Sequence, residues 1–243
     1  MRLDVFLTEN GYFISRSKAR AAIEGKRVCV DGVVTVKPSA EITDGQTVTV
    51  TEGDKYVSRA GEKLEHALKE FSVNVNGVVA LDIGASTGGF TDCMLQKGAK
   101  RVFALDVGTA QLAEKLRNDS RVTVMENFNA RYAKKSDFCD NIGLIVMDVS
   151  FISQTLIYPA CKDILPVGGQ MVTLVKPQFE AGKENIGKGG IVKDKDGKIL
   201  AKILEKIDFC AGVNGFSRIG FTQSPIEGGD GNREYLALFI RKE

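Results

Sequence analysis

The segment Leu81-Asp82-Ile83-Gly84-Ala85-Ser86-Thr87-Gly88-Gly89-Phe90-Thr91 decides the fold that this sequence predicts. An apolar strand runs directly into a glycine-rich turn, and a helix-forming stretch follows it. Glycine lets a bound molecule approach the backbone closely, and a helix N-terminus favours a carboxylate or a phosphate. The spacing D-x-G-x-x-x-G-G differs from the G-x-G-x-x-G of dinucleotide-binding folds. The segment therefore predicts a ligand-binding turn, with a purely structural turn as the alternative.

Apolar, β-branched runs alternate with helical stretches on both sides of this turn, and an amphipathic helix, Ser58–Phe71, precedes it. Such alternation predicts an α/β fold with a mostly parallel seven-stranded sheet covered on both faces. Ligands bind such sheets beyond the carboxyl ends of the strands. The predicted strands are Val78–Ile83, Arg101–Val107, Val122–Met125, Gly143–Met147, Gln170–Val175, Ser217–Thr222 and Tyr235–Ile240.

Two acids flank the glycine turn and indicate what it binds. Asp82 lies on the strand before the turn, where it can pair with an α-ammonium group, and Asp106 ends the next strand, where it can accept from ribose hydroxyls. An amino acid joined to a nucleoside fits both acids, and S-adenosyl-L-methionine is such a molecule. Residues 127–129 follow the third strand and either frame an adenine or form an ordinary loop. The predicted cofactor-binding residues are Asp82, Gly84, Ala85, Ser86, Thr87, Gly88, Gly89, Phe90, Thr91, Asp106, Val107, Asn127, Phe128, Asn129 and Asp148.

Four more ionisable residues lie at the ends of predicted elements. They are Lys63 in the helix before the sheet, Asp148 and Lys176 directly after very apolar strands, and Glu234 before the last strand. Taken singly, each residue is interpreted as a surface charge or as part of a structural ion pair. Taken together, the four residues indicate a catalytic site. Because His66 is the only histidine, proton transfer falls mainly to lysine, aspartate, glutamate or tyrosine, and a multi-histidine metal site is excluded.

Residues 1 to about 50 predict a small separate unit. Leu3, Phe6 and Leu7 recur at helical spacing, and Ser15 or Ser17 begins a second helix. The polar stretch Thr51–Lys55 predicts a linker. The unit's remaining predicted elements are the helix end at Gly25 and the strands Arg27–Val30, Val33–Val36 and Thr47–Thr51.

Basic residues cluster in the second helix of this unit and just after it. Arg16 and Arg20 share one helical face, which is either a solvated surface or a face that contacts phosphates. The net charge of the whole chain is only +2, so bulk charge alone does not indicate nucleic-acid binding. The predicted RNA-binding residues are Arg2, Arg16, Lys18, Arg20, Lys26 and Arg27.

The composition of the chain also limits which other kinds of site and which cellular location we expect. The five cysteines are scattered and form no C-x-x-C pair, so we expect reduced thiols and no metal site. Apolar runs are too short to span a membrane, and the N-terminal residues lack the apolar core of a signal peptide. We therefore expect a cytoplasmic protein without a membrane partner.

Two motif sets carry a resemblance to known families. The segments Arg2-Leu3-Asp4, Ser15–Arg20, Ile23–Val28 and Val30-Asp31-Gly32 resemble the S4 RNA-binding domain. Lys63, Asp148, Lys176 and Glu234 resemble the tetrad of FtsJ-like 2′-O-methyltransferases, and the complete layout is similar to the TlyA (hemolysin A) family. The resemblance implies a small α+β S4-like domain with its linker at 1–55 and a Rossmann-like class I methyltransferase domain at 56–243. It also implies methylation of a cytidine ribose 2′-hydroxyl in ribosomal RNA or ribosomal subunits.

Within this resemblance the four ionisable residues take different roles. Lys176 acts as base or direct activator of the hydroxyl, Asp148 holds Lys176 near the methyl group, and Lys63 with Glu234 positions the nucleotide. No metal is required. The alternatives are a non-enzymatic RNA-binding assembly factor, a nicotinamide-dependent oxidoreductase, which the glycine spacing disfavours, and a haemolysin, which the family's older name suggests.

A glycine- and lysine-rich segment, Phe179–Asp196, predicts a mobile substrate loop with Gly189-Gly190 as its hinge. The aromatic residues Phe151 and Phe179 are interpreted either as rings that stack on a base or as core aromatics.

Overall fold

The computed structural model describes residues 1–13, 15–51, 55–194, 196–228 and 231–242. The chain divides into two compact units, 1–55 and 56–243, and each has its own hydrophobic core. Most of the predicted linker lies outside the described residues, because 52–54 are not among them.

The N-terminal unit packs two helices against a small antiparallel sheet of strand order β2-β1-β3. Ser15, and not Ser17, caps the second helix, since its Oγ accepts from the backbone N–H of Lys18 at 3.4 Å. Leu3, Leu7 and Ile23 are fully buried between helices and sheet. The elements are α1 (Leu3–Glu9), α2 (Arg16–Glu24), β1 (Val28–Val30), β2 (Val33–Val34) and β3 (Val48–Val50).

The larger unit is built on a seven-stranded sheet of order β6-β5-β4-β7-β8-β10-β9. Strands β4 to β8 are parallel, and β10 is antiparallel to both β8 and β9. This confirms the predicted mostly parallel sheet. Its strands are β4 (Val79–Ile83), β5 (Arg101–Leu105), β6 (Val122–Met125), β7 (Leu144–Met147), β8 (Gln170–Val175), β9 (Phe216–Gln223) and β10 (Tyr235–Arg241), and its helices are α3 (Ala60–Glu70), α4 (Gly89–Gln96), α5 (Glu114–Arg117), α6 (Tyr158–Ile164), α7 (Pro177–Glu180) and α8 (Lys198–Val213).

Both faces of the central strands are buried, as a parallel sheet requires. In β4, Leu81 and Ile83 belong to one hydrophobic core, whereas Ala80 belongs to the other. Successive side chains on a strand point to opposite faces, so the two cores lie on opposite sides of the sheet. This arrangement leaves the carboxyl ends of β4, β5, β7 and β8 along one edge.

Strand β5 ends two residues earlier than its apolar pattern predicts, at Leu105 instead of Val107. The cause is Asp106, whose Oδ1 accepts from the backbone N–H of Gly108 at 2.7 Å. Such a local bond turns the chain away from the sheet. Asp106 is thereby placed at the sheet edge, and Val107 is 68% exposed.

The predicted substrate loop is held at several points. Ile186 and Val192 form an antiparallel bridge, and the side-chain amide of Asn232 bonds to the backbone of Gly190 and Val192 at 3.0 and 3.1 Å. Gly189 and Gly190 adopt φ of 80° and 79°, a region that favours glycine. The mobility of this loop stays a prediction.

Candidate active site

The glycine turn between β4 and α4 is packed closely from two sides. Gly84 has φ of 82°, and a Cβ there would overlap the backbone carbonyl oxygen of Asp148. Gly89 lies against the side chain of Ser58 and the backbone N–H of Gly61 with equally little room. The turn therefore needs glycine both for conformation and for close approach, and it brings β4, β7 and the start of α3 together.

Asp82 lies beneath the turn and is fully buried. Its Oδ2 accepts from the Thr91 hydroxyl at 2.6 Å, whereas its buried Oδ1 has no hydrogen-bond partner among the described residues. Burial raises the pKa of this carboxyl to about 7, and the charges of Asp148 and Asp106 act in the same direction. A buried acceptor without a partner is costly unless a donor reaches it, so the floor of the turn suits a ligand that brings an N–H.

Asp106 connects the glycine turn to the next strand. Its Oδ2 accepts from the backbone N–H of Ser86 at 2.8 Å, while its Oδ1 accepts from the backbone N–H of Gly108. Each carboxylate oxygen has two lone pairs, so acceptor capacity remains beside the cleft that Asp106 lines. Ser86 has φ of 48°, an uncommon conformation for a residue with a side chain.

A cleft of about 350 Å³ opens between the ends of β4, β5 and β7. A smaller cavity of about 100 Å³ lies on the other side of the glycine turn, and the two share Gly84, Ser86 and Asp148. Most of the predicted cofactor-binding residues line one cavity or the other. They are Gly84, Ser86, Asp106, Val107, Asn129 and Asp148 in the larger cavity and Gly84, Ala85, Ser86, Thr87, Gly89, Phe90 and Asp148 in the smaller one.

The four candidate catalytic residues form two ion pairs. Lys63 and Glu234 are bonded through Nζ and Oε2 and are only 8% and 3% exposed. Lys176 Nζ lies 2.6 Å from Asp148 Oδ1 and donates to the Ser150 hydroxyl at 2.9 Å. Each lysine therefore has a carboxylate of its own.

Sheet register explains why residues so distant in sequence share one edge. Tyr235 of β10 pairs with Val175 of the antiparallel strand β8. Glu234, just before Tyr235, and Lys176, just after Val175, therefore lie at the same end of these two strands. Asp148 follows β7, the parallel neighbour of β8. Lys63 lies on α3; the first residue of that helix, Ala60, and Ser58 just before it line the smaller cavity with Asp148.

Comparisons with known proteins show the family to which the chain belongs. Residues 56–241 match the model of the FtsJ-like methyltransferase family. The chain belongs to that family. Residues 1–48 match the S4 domain, so the predicted sequence of an S4 unit followed by an FtsJ-like unit is confirmed.

Individual relatives extend over nearly the whole chain. Hemolysin A of Brachyspira hyodysenteriae is 50% identical over 243 residues, which are 99% of this chain and 100% of that protein. The 16S/23S rRNA (cytidine-2'-O)-methyltransferase TlyA of Mycobacterium tuberculosis is 40% identical over 244 residues, 100% of this chain and 90% of that one. A solved Streptococcus thermophilus protein named as a hemolysin superposes with a TM-score of 0.77 at 47% identity, covering 100% of this chain and 89% of its own.

Some predicted cofactor residues of the FtsJ-like unit do not line either cavity. Asp82 and Thr91 lie beneath the turn, fully buried, and Gly88 faces Leu112 and Leu116. Asn127 is exposed at φ of 56°. Of the 127–129 segment only Asn129 reaches the cleft, and Phe128 packs against the hydrophobic core instead.

The sequence interpretation missed the residues after Asp148 as part of the cleft lining. Val149, Ser150 and Ile152 line it, and so does Phe151. The interpretation of Phe151 as a core aromatic is wrong, because its side chain is 93% exposed at φ of 62° and lies beside Phe179, with ring centroids 5.2 Å apart. The adjacency of these residues to Asp148 was the available indication.

In the S4 unit, the fully buried Asp4 organises two of the predicted RNA-binding arginines. Arg2 Nε lies 3.0 Å and an Arg16 guanidinium nitrogen 2.8 Å from its two oxygens. These two hydrogen-bonded cations hold the pKa of the Asp4 carboxyl well below its usual range. The arginine side chains remain 50% and 56% exposed, so most of their N–H donors face solvent.

The other predicted RNA-binding residues lie on α2 and in the turn after it. Lys18, Arg20 and Lys26 are exposed, and Arg27 is partly buried. Arg16 and Arg20 line one shallow surface depression on α2. The unit therefore presents a basic face on one helix and the turn after it.

Metal-binding clusters and membrane-spanning helices are both absent from the described ranges. Within them no group of three or more histidine, cysteine, aspartate or glutamate side chains is arranged to hold a metal ion. Nor does any helix there have the length and apolar character needed to cross a bilayer.

Proposed function

We propose that this protein is an S-adenosyl-L-methionine-dependent methyltransferase that modifies the 2′-hydroxyl of a cytidine ribose in ribosomal RNA, in the cytoplasm. The observation that carries the proposal is the ion pair of Lys176 with Asp148, which lines the cleft, together with the buried Lys63–Glu234 pair on the same sheet edge. The name and 40% identity of the Mycobacterium tuberculosis relative support the substrate and the methylated atom.

The residues of the glycine turn fit S-adenosyl-L-methionine. The unpartnered Asp82 Oδ1 is an acceptor for the α-ammonium side of the molecule, and Asp106 retains acceptor capacity for ribose hydroxyls at the cleft wall. Asp148 borders both cavities, which suits a ligand whose amino-acid and nucleoside halves lie on either side of Gly84. When bound, the cofactor supplies a methyl group on a sulfonium centre.

The protein's own residues then have two tasks. Lys176, held by Asp148 and Ser150, acts as base or direct activator of the ribose hydroxyl; as base it takes up the hydroxyl proton in its neutral form. Lys63 and Glu234 position the nucleotide. Methyl transfer needs oxygen, carbon and sulfur in line, so fixed positions supply much of the rate.

Capture of the RNA is assigned to the S4 unit. Asp4 holds Arg2 and Arg16 beside one another, and Lys18, Arg20, Lys26 and Arg27 extend the basic face. Arginine and lysine contacts to phosphates supply affinity and orientation without reading the sequence. The fully buried Asp4 makes this arrangement part of the fold, so the face is formed before RNA arrives.

The test is the position of the methyl mark and its dependence on Lys176. The 2′-hydroxyl is the internal nucleophile in alkaline cleavage, so RNA treated with the protein and cofactor should show one gap in an alkaline ladder. Lys176→Ala should abolish the gap while cofactor binding by calorimetry is retained. The matched control is Lys162→Ala, a change at an exposed lysine of α6, which should keep the gap. A methylated product still cleaved at the modified nucleotide would overturn the 2′-oxygen assignment.

A further inference from the structure

Glu180, the last residue of α7, is a buried carboxylate with three donors. Its side chain is 2% exposed. Oε1 accepts from the backbone N–H of Gln154 at 2.8 Å, and Oε2 accepts from the Ser153 hydroxyl at 2.5 Å and from Lys206 Nζ at 2.9 Å. Burying a carboxylate is costly unless it is paired and hydrogen-bonded, and here both conditions are met.

The bonds of Glu180 join the two chain segments that leave the catalytic ion pair. Gln154 and Ser153 belong to the segment that follows Asp148, and Glu180 ends the segment that follows Lys176. Two further contacts cross between these segments: the bond from Lys176 to Ser150 and the ring contact of Phe151 with Phe179.

The far side of this connection is anchored in the core. The Gln154 side chain is 2% exposed, and its Oε1 accepts from the hydroxyl of Tyr158 at 3.1 Å. Tyr158 is fully buried and packs against Phe239 of β10, with ring centroids 5.9 Å apart. Core side chains are close-packed and resist displacement. Glu180 thus ties two segments beyond the strand ends to a rigid part of the molecule.

We propose that Glu180 is a positioning residue for methyl transfer: by joining the segments after β7 and β8 it fixes Lys176 and Asp148 relative to each other and to the cleft. The proposal rests on the proposed function. Glu180 touches neither cavity beside the glycine turn, so its loss should lower the rate of transfer and leave cofactor affinity in place. A displacement of about 1 Å in a catalytic group can cost roughly 10²-fold in rate.

The experiment compares Glu180→Ala, Glu180→Gln and the control Glu205→Gln in the full chain. Glu205 lies on α8, outside the predicted substrate loop, and is exposed. In single-turnover assays with saturating cofactor and RNA, Glu180→Ala should react about 10²-fold more slowly than wild type. Glu180→Gln should lose only about tenfold, because one oxygen acceptor for Gln154 remains. The control should match wild type.

Two equilibrium measurements separate positioning from a general loss of structure. The dissociation constants for S-adenosyl-L-methionine and RNA should stay within about twofold of wild type in all three variants, measured well below the melting temperature. Deuterium exchange of residues 149–154 should accelerate in Glu180→Ala and stay unchanged in the control, since the Gln154 N–H loses its acceptor.

Each contrary result has a distinct meaning. Unchanged exchange of residues 149–154 in Glu180→Ala refutes the connection itself, whether or not the protein methylates RNA. Faster exchange with an unchanged single-turnover rate refutes the positioning role. A rate loss matched by an equal loss of cofactor affinity also refutes it. A wild-type protein that leaves ribosomal RNA unmodified refutes the proposed function, and the exchange experiment still decides whether Glu180 joins the two segments.

Discussion

Replacing Asp82 with asparagine should remove a pH-dependent cost of folding the methyltransferase unit. Asp82 is fully buried, and burial, with the charges of Asp148 and Asp106, raises its pKa from 3.8 to about 7. The Thr91 hydroxyl acts in the opposite direction. Asparagine keeps an oxygen acceptor for Thr91 but does not titrate.

The sign follows from proton binding. Between the two pKa values the carboxyl is protonated in the folded protein and ionised in the unfolded chain, so the folded state binds more protons. Rising pH therefore lowers the free energy of unfolding, beginning near the unfolded value and ending near pH 7. A gap of about three pKa units corresponds to a loss of roughly 4 kcal/mol, of which roughly 3 kcal/mol falls between pH 5 and pH 8.

The assay is urea unfolding of the ligand-free protein at pH 5 and pH 8. Relative to wild type, Asp82→Asn should gain roughly 3 kcal/mol in free energy of unfolding between the two pH values. Val213→Ala, at an exposed side chain that does not titrate, should show no such change. If the difference between wild type and Asp82→Asn is the same at both pH values, Asp82 is ionised throughout and the reasoning fails.

Three further outcomes are expected. Asp82→Ala should weaken binding of S-adenosyl-L-methionine in calorimetry with the fold intact, and equal affinity would exclude this placement of the cofactor. Lys63→Met should lower the free energy of unfolding by about 3–5 kcal/mol, because the buried Glu234 loses its cation. The double variant Lys63→Met, Glu234→Gln should regain part of this lost stability. A double variant no more stable than Lys63→Met would contradict the pairing. Replacing both Lys18 and Arg20 with alanine should weaken RNA binding and reduce the log-log salt slope by roughly one for each phosphate that is no longer neutralised, with an unchanged slope counting against the basic face.

The sequence predicted the fold well where local pattern alone sets an element. Strands β6 and β8 have the predicted limits, Val122–Met125 and Gln170–Val175, because short apolar, β-branched runs there begin and end in polar or turn residues. The end of β5 was misplaced because the turn at Asp106 depends on a side-chain bond that an apolar pattern does not reveal.

The candidate site was predicted as a set of residues but not as a geometry. The pairing of Lys63 with Glu234 joins residues 171 positions apart and depends on the register of β10 beside β8, which no local pattern encodes. Phe128 was assigned to the cofactor site although its side chain turns to the core. The sequence also did not predict that Arg2 and Arg16 both bind the carboxylate of Asp4. Helical spacing indicates which residues share a face, but not which residues share a carboxylate.

The placement of β10 between β8 and β9 has a consequence for how the protein matures. Glu234 reaches the site only when this strand, the last along the chain, inserts between two strands made earlier. Until then Lys63 lacks its carboxylate and β8 has an open edge. A nascent or C-terminally clipped chain would thus hold the glycine turn and the Lys176–Asp148 pair without a complete site. Competence for chemistry would therefore require the complete sheet, and not only the strands that carry the glycine turn and Lys176.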